Sequence, residues 1–228
     1  MARGDAKAPS LPCLLRDRTV THALRQTMID SQLRTVGIID AEVIRGFASV
    51  AREAFVPARM AGLAYADAAI EVAPGRALLE PLVLGLLLER ARIIASDRVL
   101  IIGAATGYSA AVAAQIAPAT LALESNPEMA QAARAAGVSV VEGPLDQGWA
   151  AAAPYDVILF EGAIEWVPPC IAAQLAPGGR AAAVVRAAGV GSAFAGPVLA
   201  DGRIGGLGFL EVAARELPGF ARPRAFAF

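Results

Sequence analysis

Apolar and polar positions fall into an ordered series between Arg98 and Glu124, RVLIIGAATGYSAAVAAQIAPATLALE. Four consecutive apolar residues, Val99–Ile102, stop at a segment bounded by Gly103 and Gly107. A small-residue stretch with helical spacing follows, and then a second apolar run closed by a carboxylate. This pattern predicts strand, tight turn, helix and parallel strand, one βαβ unit. The turn sets backbone N–H groups and a helix N-terminus beside whatever lies at the carboxyl ends of the strands. Glu124 stands twenty-one positions after Gly103, where an acid accepts bonds from ribose hydroxyls in nucleotide-binding folds. A plain βαβ turn followed by a surface glutamate has the same outline.

The two rhythms continue on either side. Asp40 is placed to cap a helix whose Val43, Ile44, Phe47 and Val50 form one apolar face. Leu63–Glu80 has little periodicity and reads as loop and short strand. Pro81–Arg92 (PLVLGLLLERAR) reads as an apolar helix with proline in its first turn. Asn126-Pro127-Glu128 marks another helix start. Further strands are expected at Val138–Val141, at Tyr155–Phe160 and at Arg180–Val185, with a helix over Pro168–Leu175. Beyond Gly189 short apolar pieces between glycines suit antiparallel strands at a sheet edge. The fold class is α/β, a doubly wound and mostly parallel sheet with a helical N-terminal cap. Either Met28 is the natural initiator or residues 1–27 are a loose extension. Residues 28–95 form the cap and substrate-side loop, and 96–228 the α/β domain.

Composition narrows the chemistry. The 228 residues are 56% hydrophobic with a net charge of −1, so there is no basic footprint for nucleic acid. No apolar run reaches the roughly 18–20 residues needed to span a membrane. Cys13 and Cys170 make no disulfide framework or metal spacing, which fits a reducing cytoplasm. The single histidine, His22, leaves no material for a Ser-His-Asp triad or the common zinc sites. No metal is expected.

Several segments together resemble the protein-L-isoaspartate O-methyltransferases, within the class I S-adenosylmethionine-dependent methyltransferase fold. They are VAREAFVP (Val50–Pro57), AYAD (Ala64–Asp67), the Gly75 to Pro81 stretch, VLIIGAATGYSAA (Val99–Ala111), LALE (Leu121–Glu124), VVEG (Val140–Gly143), APYDVIL (Ala153–Leu159) and QLAPGGR (Gln174–Arg180). The resemblance implies methyl transfer from S-adenosylmethionine to the carboxylate of an isoaspartyl residue in a damaged protein. Such a carboxylate, with a pKa near ~4, is ionised at neutral pH and needs no general base. The cofactor contacts it implies are Gly103, Ala104, Ala105, Thr106, Gly107, Tyr108, Glu124, Ser125, Pro144 and Leu145. On the substrate side it implies Asp67, Leu79 and Glu161.

This chain departs from that pattern in ways that matter. Ala77-Leu78-Leu79 stands where the family has Thr-Ile-Ser, so two hydroxyls are missing. Each hydrogen bond to a charged group lost this way is worth about 1.5–3 kcal/mol. Ile101 replaces an acid, Ala105 a glycine and Pro144 an aspartate, all around the cofactor. Glu161 reads either as a carboxylate facing the sulfonium, suited to a different methyl acceptor, or as a solvated loop residue. Tyr108 either covers the cofactor or packs. Activity below that of a complete family member is expected, and Glu124→Ala is expected to weaken nucleoside binding with little loss of stability. The competing reading is a catalytically silent relative kept as a binding module. A nicotinamide oxidoreductase is disfavoured, because the turn is not G-x-G-x-x-G.

Overall fold

The computed structural model describes residues 18–187 and 189–222. The expected extension therefore falls largely outside the described residues, but its last part, 18–27, is helical. It belongs to α1 (Arg18–Met28), which continues as one π-helical turn over Ile29–Leu33. Arg25 on α1 donates to the Tyr65 hydroxyl at 2.9 Å and to the Ala48 carbonyl at 2.9 Å. The helix α2 (Ala41–Ser49) begins as its sequence requires, with the Asp40 carboxylate accepting from the backbone N–H groups of Glu42 and Val43.

A two-stranded hairpin comes next, β1 (Ile70–Ala73) with β2 (Arg76–Leu78), turned at Gly75, whose φ is 73°. The apolar helix α3 (Pro81–Ala91) links it to the main sheet. That sheet holds β3 (Val99–Ile102), β4 (Thr120–Glu124), β5 (Val140–Glu142), β6 (Tyr155–Ile164), β7 (Leu175–Ala187), β8 (Val190–Gly196) and β9 (Leu210–Glu211) in the order β5-β4-β3-β6-β7-β8-β9. Pairings are parallel from β5 through β7 and antiparallel for β7–β8 and β8–β9. The connecting helices are α4 (Tyr108–Ile116), α5 (Pro127–Ala135) and the short α6 (Pro169–Ala172). The expected helix over Pro168–Leu175 thus shrinks to one turn. Leu175 instead joins β7, which bulges through Pro177-Gly178-Gly179 before Arg180 pairs with Val157.

Both faces of the central parallel strands β3, β4 and β6 are buried, as such sheets require. Val99 and Ile101 enter one core with Phe47, Leu84, Leu87 and Val112, while Leu100 and Ile102 enter the other with Ile158, Phe160, Leu217 and Phe220. Chain order reverses at β3: β4 and β5 lie on one side, β6 and β7 on the other. In open α/β sheets that reversal opens a crevice beyond the carboxyl ends of the strands, where ligands bind.

Candidate cofactor cleft

Ile102 ends β3, and the chain turns through Gly103 and Gly107 at φ 73° and 96°. Ala105, where a glycine was expected, takes φ 51°. An alanine in that left-handed region costs about 1–2 kcal/mol relative to its usual conformations. The strain has a local compensation: the Ala105 N–H donates to Glu124 Oε2 at 2.7 Å. Two further N–H groups, from Ser125 at 2.8 Å and Asn126 at 3.0 Å, reach Oε1. Main-chain donors thus converge on the buried Glu124 carboxylate at the end of β4.

A fourth residue completes that carboxylate. Arg76 donates from Nη1 to Oε1 and from Nη2 to Oε2, both at 2.8 Å, and its Nη2 also reaches the Gly103 carbonyl at 2.8 Å. Both partners are buried, so the fork-to-fork pair lies out of water, where loss of either partner leaves an uncompensated charge. The ribose acceptor foreseen from the sequence therefore holds a guanidinium of its own chain. This changes the expected effect of Glu124→Ala, because removing the acid leaves the Arg76 charge buried without a counter-charge.

The rest of the crevice is filled too. Beyond β3, the strand β6 runs on through Glu161–Ile164, and its free edge is taken by residues 215–220. Ala163 N–H donates to the Arg215 carbonyl at 2.7 Å, Leu217 N–H to the Ala163 carbonyl at 2.8 Å, and Glu165 N–H to the Phe220 carbonyl at 3.1 Å. Leu217 and Phe220 are buried, each worth about 1.5–3 kcal/mol over exposure, and Phe220 meets Phe160 edge-on at 5.3 Å. The Leu217 side chain lies directly on the turn: a Cβ built on Gly103 would come within 2.7 Å of it, and one on Gly162 within 2.8 Å. Farther along, Gly219 lies against Asp146, in the turn that follows β5.

The hollow left among Arg76, Leu79, Glu161, Gly162 and Leu217 measures about 10 Å³, at the threshold for a single water. Sites for organic ligands occupy roughly 300–1,000 Å³. That hollow is not lined by Gly103 or Glu124; on the donor side, Arg76 occupies the Glu124 carboxylate and Leu217 lies on Gly103, which leaves an adenosyl group no fit as the chain is arranged here.

Glu161 lies within β6 and is 1% exposed, so it is neither a solvated loop residue nor an open face of the cleft. A two-residue bulge between Leu159 and Ala163 turns the strand at this point. Its Oε1 accepts the Leu79 N–H at 2.9 Å, and the Leu79 carbonyl accepts from Arg52 Nη2 at 2.7 Å. The two peptide groups flanking the Leu79 Cα are thereby held by opposite charges. Burial pushes the Glu161 carboxyl above its ordinary range, against the pull of Ser109, the Leu79 N–H, Arg52 and Arg76. Glu161 Oε2, Arg52 Nε and Nη1, the Tyr108 hydroxyl and the Ser109 hydroxyl are buried with no hydrogen-bond partner among the described residues. Arg52 stacks 4.6 Å from the Tyr108 ring, which also meets Phe47 and Phe55 edge-on. Burial pushes the Tyr108 phenol up to about 12. Tyr108 thus packs.

The other foreseen residues are spread more widely. Ala104 is buried under the turn, and Thr106 donates to the Phe55 carbonyl at 2.6 Å. Ser125 and Pro144 are exposed, and Leu145 joins the core that contains Leu217. Asp67 is exposed, on the segment leading to β1, and its charge adds to burial in raising the Glu80 carboxyl. Sequence reasoning missed Arg76 and Arg52. Arg76 had a signal: two-residue alternation in β2 puts it on the same buried face as Leu78, and a buried arginine needs an acid. Leu217 had none.

A sheet reversing at β3, a glycine turn and a carboxylate closing the next strand define an α/β protein of the nucleotide-binding, class I methyltransferase kind. Residues 24–191 match the family model described as protein-L-isoaspartate(D-aspartate) O-methyltransferase. A Methylorubrum populi protein-L-isoaspartate O-methyltransferase is 39% identical over 167 residues, covering 71% of this chain and 79% of that one. A Koribacter versatilis protein of the same name is 39% identical over 163 residues, 68% and 73% of the two chains. A solved protein-L-isoaspartate O-methyltransferase shares the fold with a TM-score of 0.63 at 23% identity, over 77% of this chain and 59% of that one. This chain belongs to the protein-L-isoaspartate O-methyltransferase family.

Proposed function

We propose that this protein transfers a methyl group from S-adenosylmethionine to isoaspartyl carboxylates in damaged proteins and peptides, in the cytoplasm and at a reduced rate. The observation that carries this reading is the family match over residues 24–191, a span that contains the glycine turn and Glu124. The acceptor chemistry agrees with it, since an ionised carboxylate needs no base and the single histidine is exposed on α1. The reduced rate rests on Ala77 and Leu79, which bring no hydroxyl to the substrate carboxylate. Asp67 and Glu161 belong to the substrate side of this proposal, and Gly103–Tyr108, Glu124, Ser125, Pro144 and Leu145 to the donor side.

Calorimetry with S-adenosylhomocysteine, followed by methyl incorporation into an isoaspartyl peptide, tests the proposal. Saturable heat and slow incorporation are expected. The filled cleft favours one alternative, a silent family member serving as a binding module. Absence of heat at millimolar ligand would remove the methyltransferase reading.

A further inference from the structure

We infer that Arg76 and the segment 215–220 form an internal plug that holds the donor cleft shut, so that the cofactor binds only in competition with the chain's own residues. The inference rests on the methyltransferase reading above. Three observations carry it. The guanidinium of Arg76 takes both oxygens of Glu124, the acid positioned to receive a ribose. The Leu217 side chain covers Gly103 and Gly162, the two glycines whose missing side chains would otherwise leave the crevice open. The segment is also added to a strand edge by backbone hydrogen bonds at Ala163, a pairing that uses no backbone bond of β3, β4 or α4.

These parts are coupled. A Cβ on Gly103 would meet both Leu217 and Arg76 Nη2, at 2.7 and 3.3 Å, so the guanidinium and the leucine pack on the same glycine. Arg76 lies three residues before Leu79, whose backbone N–H and carbonyl are held by Glu161 and Arg52. The arginine's backbone therefore stays fixed, and opening consists of its side chain leaving Glu124 while Leu217 lifts from the turn. A ligand that meets a closed cleft binds with an apparent affinity reduced by the fraction of open molecules. Weakening the plug then raises affinity without adding any contact to the ligand.

The test uses the full chain and S-adenosylhomocysteine. Phe220→Ala removes the ring that anchors the segment on Phe160, outside the cleft itself, and Arg76→Gln removes the charge from Glu124 while keeping a polar side chain. Each variant is expected to bind at least tenfold more tightly than the natural protein. In the natural protein, saturating ligand is expected to speed amide exchange at Leu217 and Ala163, where the segment parts from β6. Equal affinity in all three proteins, with exchange at Leu217 unchanged on binding, overturns the plug and leaves the methyltransferase reading intact. Folded proteins that all fail to bind overturn both. Should Arg76→Gln not fold, Phe220→Ala decides; should neither fold, the exchange experiment on the natural protein decides.

Discussion

Two glutamates end up buried at the carboxyl end of the same sheet, and their surroundings are opposite. Glu124, closing β4, has both oxygens met by a guanidinium and by three main-chain N–H groups. Glu161, in the extended end of β6, has one N–H partner, and its second oxygen has none among the described residues. Burial is common to both and so does not set their chemistry. What differs is the number of donors brought to each. The first site is a satisfied ion pair that closes a cleft. The second is a poorly satisfied carboxyl, displaced toward its neutral form.

The strongest way to break this contrast is Arg76→Ala. Removing one partner of a buried pair leaves the other uncompensated, and about 3–5 kcal/mol of stability should be lost in urea unfolding. Arg76→Lys, which keeps the charge but loses the fork, should recover only part of it. A loss below about 1 kcal/mol would mean that water already reaches Glu124. Gly103→Ala probes the same site through space. Its Cβ meets Leu217 at 2.7 Å on a residue at φ 73°, and overpacking should cost about 1–3 kcal/mol.

Glu161→Gln tests the other glutamate by its pH dependence. With its carboxyl raised above the ordinary 4.5, the folded protein holds a proton that the unfolded chain has released. Stability therefore falls as pH climbs from about 4.5 through the raised value. The glutamine variant, which keeps an acceptor for the Leu79 N–H, should lose that slope and gain stability relative to the natural protein at pH 8. Parallel slopes in unfolding curves at pH 5 and pH 8 would show that Glu161 titrates like a solvated acid.

Asn126→Ala should be the mildest change. Its side chain caps α5 through Glu128 and Met129, so about 1 kcal/mol is at stake. Glu124 receives only its backbone N–H, so affinity for S-adenosylhomocysteine should stay as it is.

Local pattern fixed a great deal in this chain. Asp40 and Asn126 cap their helices as their spacing predicts, because a cap needs only residues within one turn. The strand at Val99–Ile102, the turn at Gly103–Gly107 and the acid closing β4 follow from a short-range succession of apolar run, glycine and carboxylate. From that succession the parallel sheet was legible, and the family from segments around it, REAFVP, PYDVIL and QLAPGGR among them. Leu175 was misplaced in a helix, because its partner across the sheet, Tyr155, lies twenty residues away.

The state of the cleft was settled elsewhere. Arg76 meets Glu124 across 48 positions, and Leu217 reaches the glycine turn from the far end of the described chain. The alternation in β2 marks Arg76 as buried without naming its partner, and the Leu217 contact has no period or spacing to betray it. Sequence alone determined the strand, turn and acid of this architecture, since these are set by neighbours along the chain. Only the tertiary structure decided that the cleft is closed, because closure depends on which distant side chains fill the space the turn leaves.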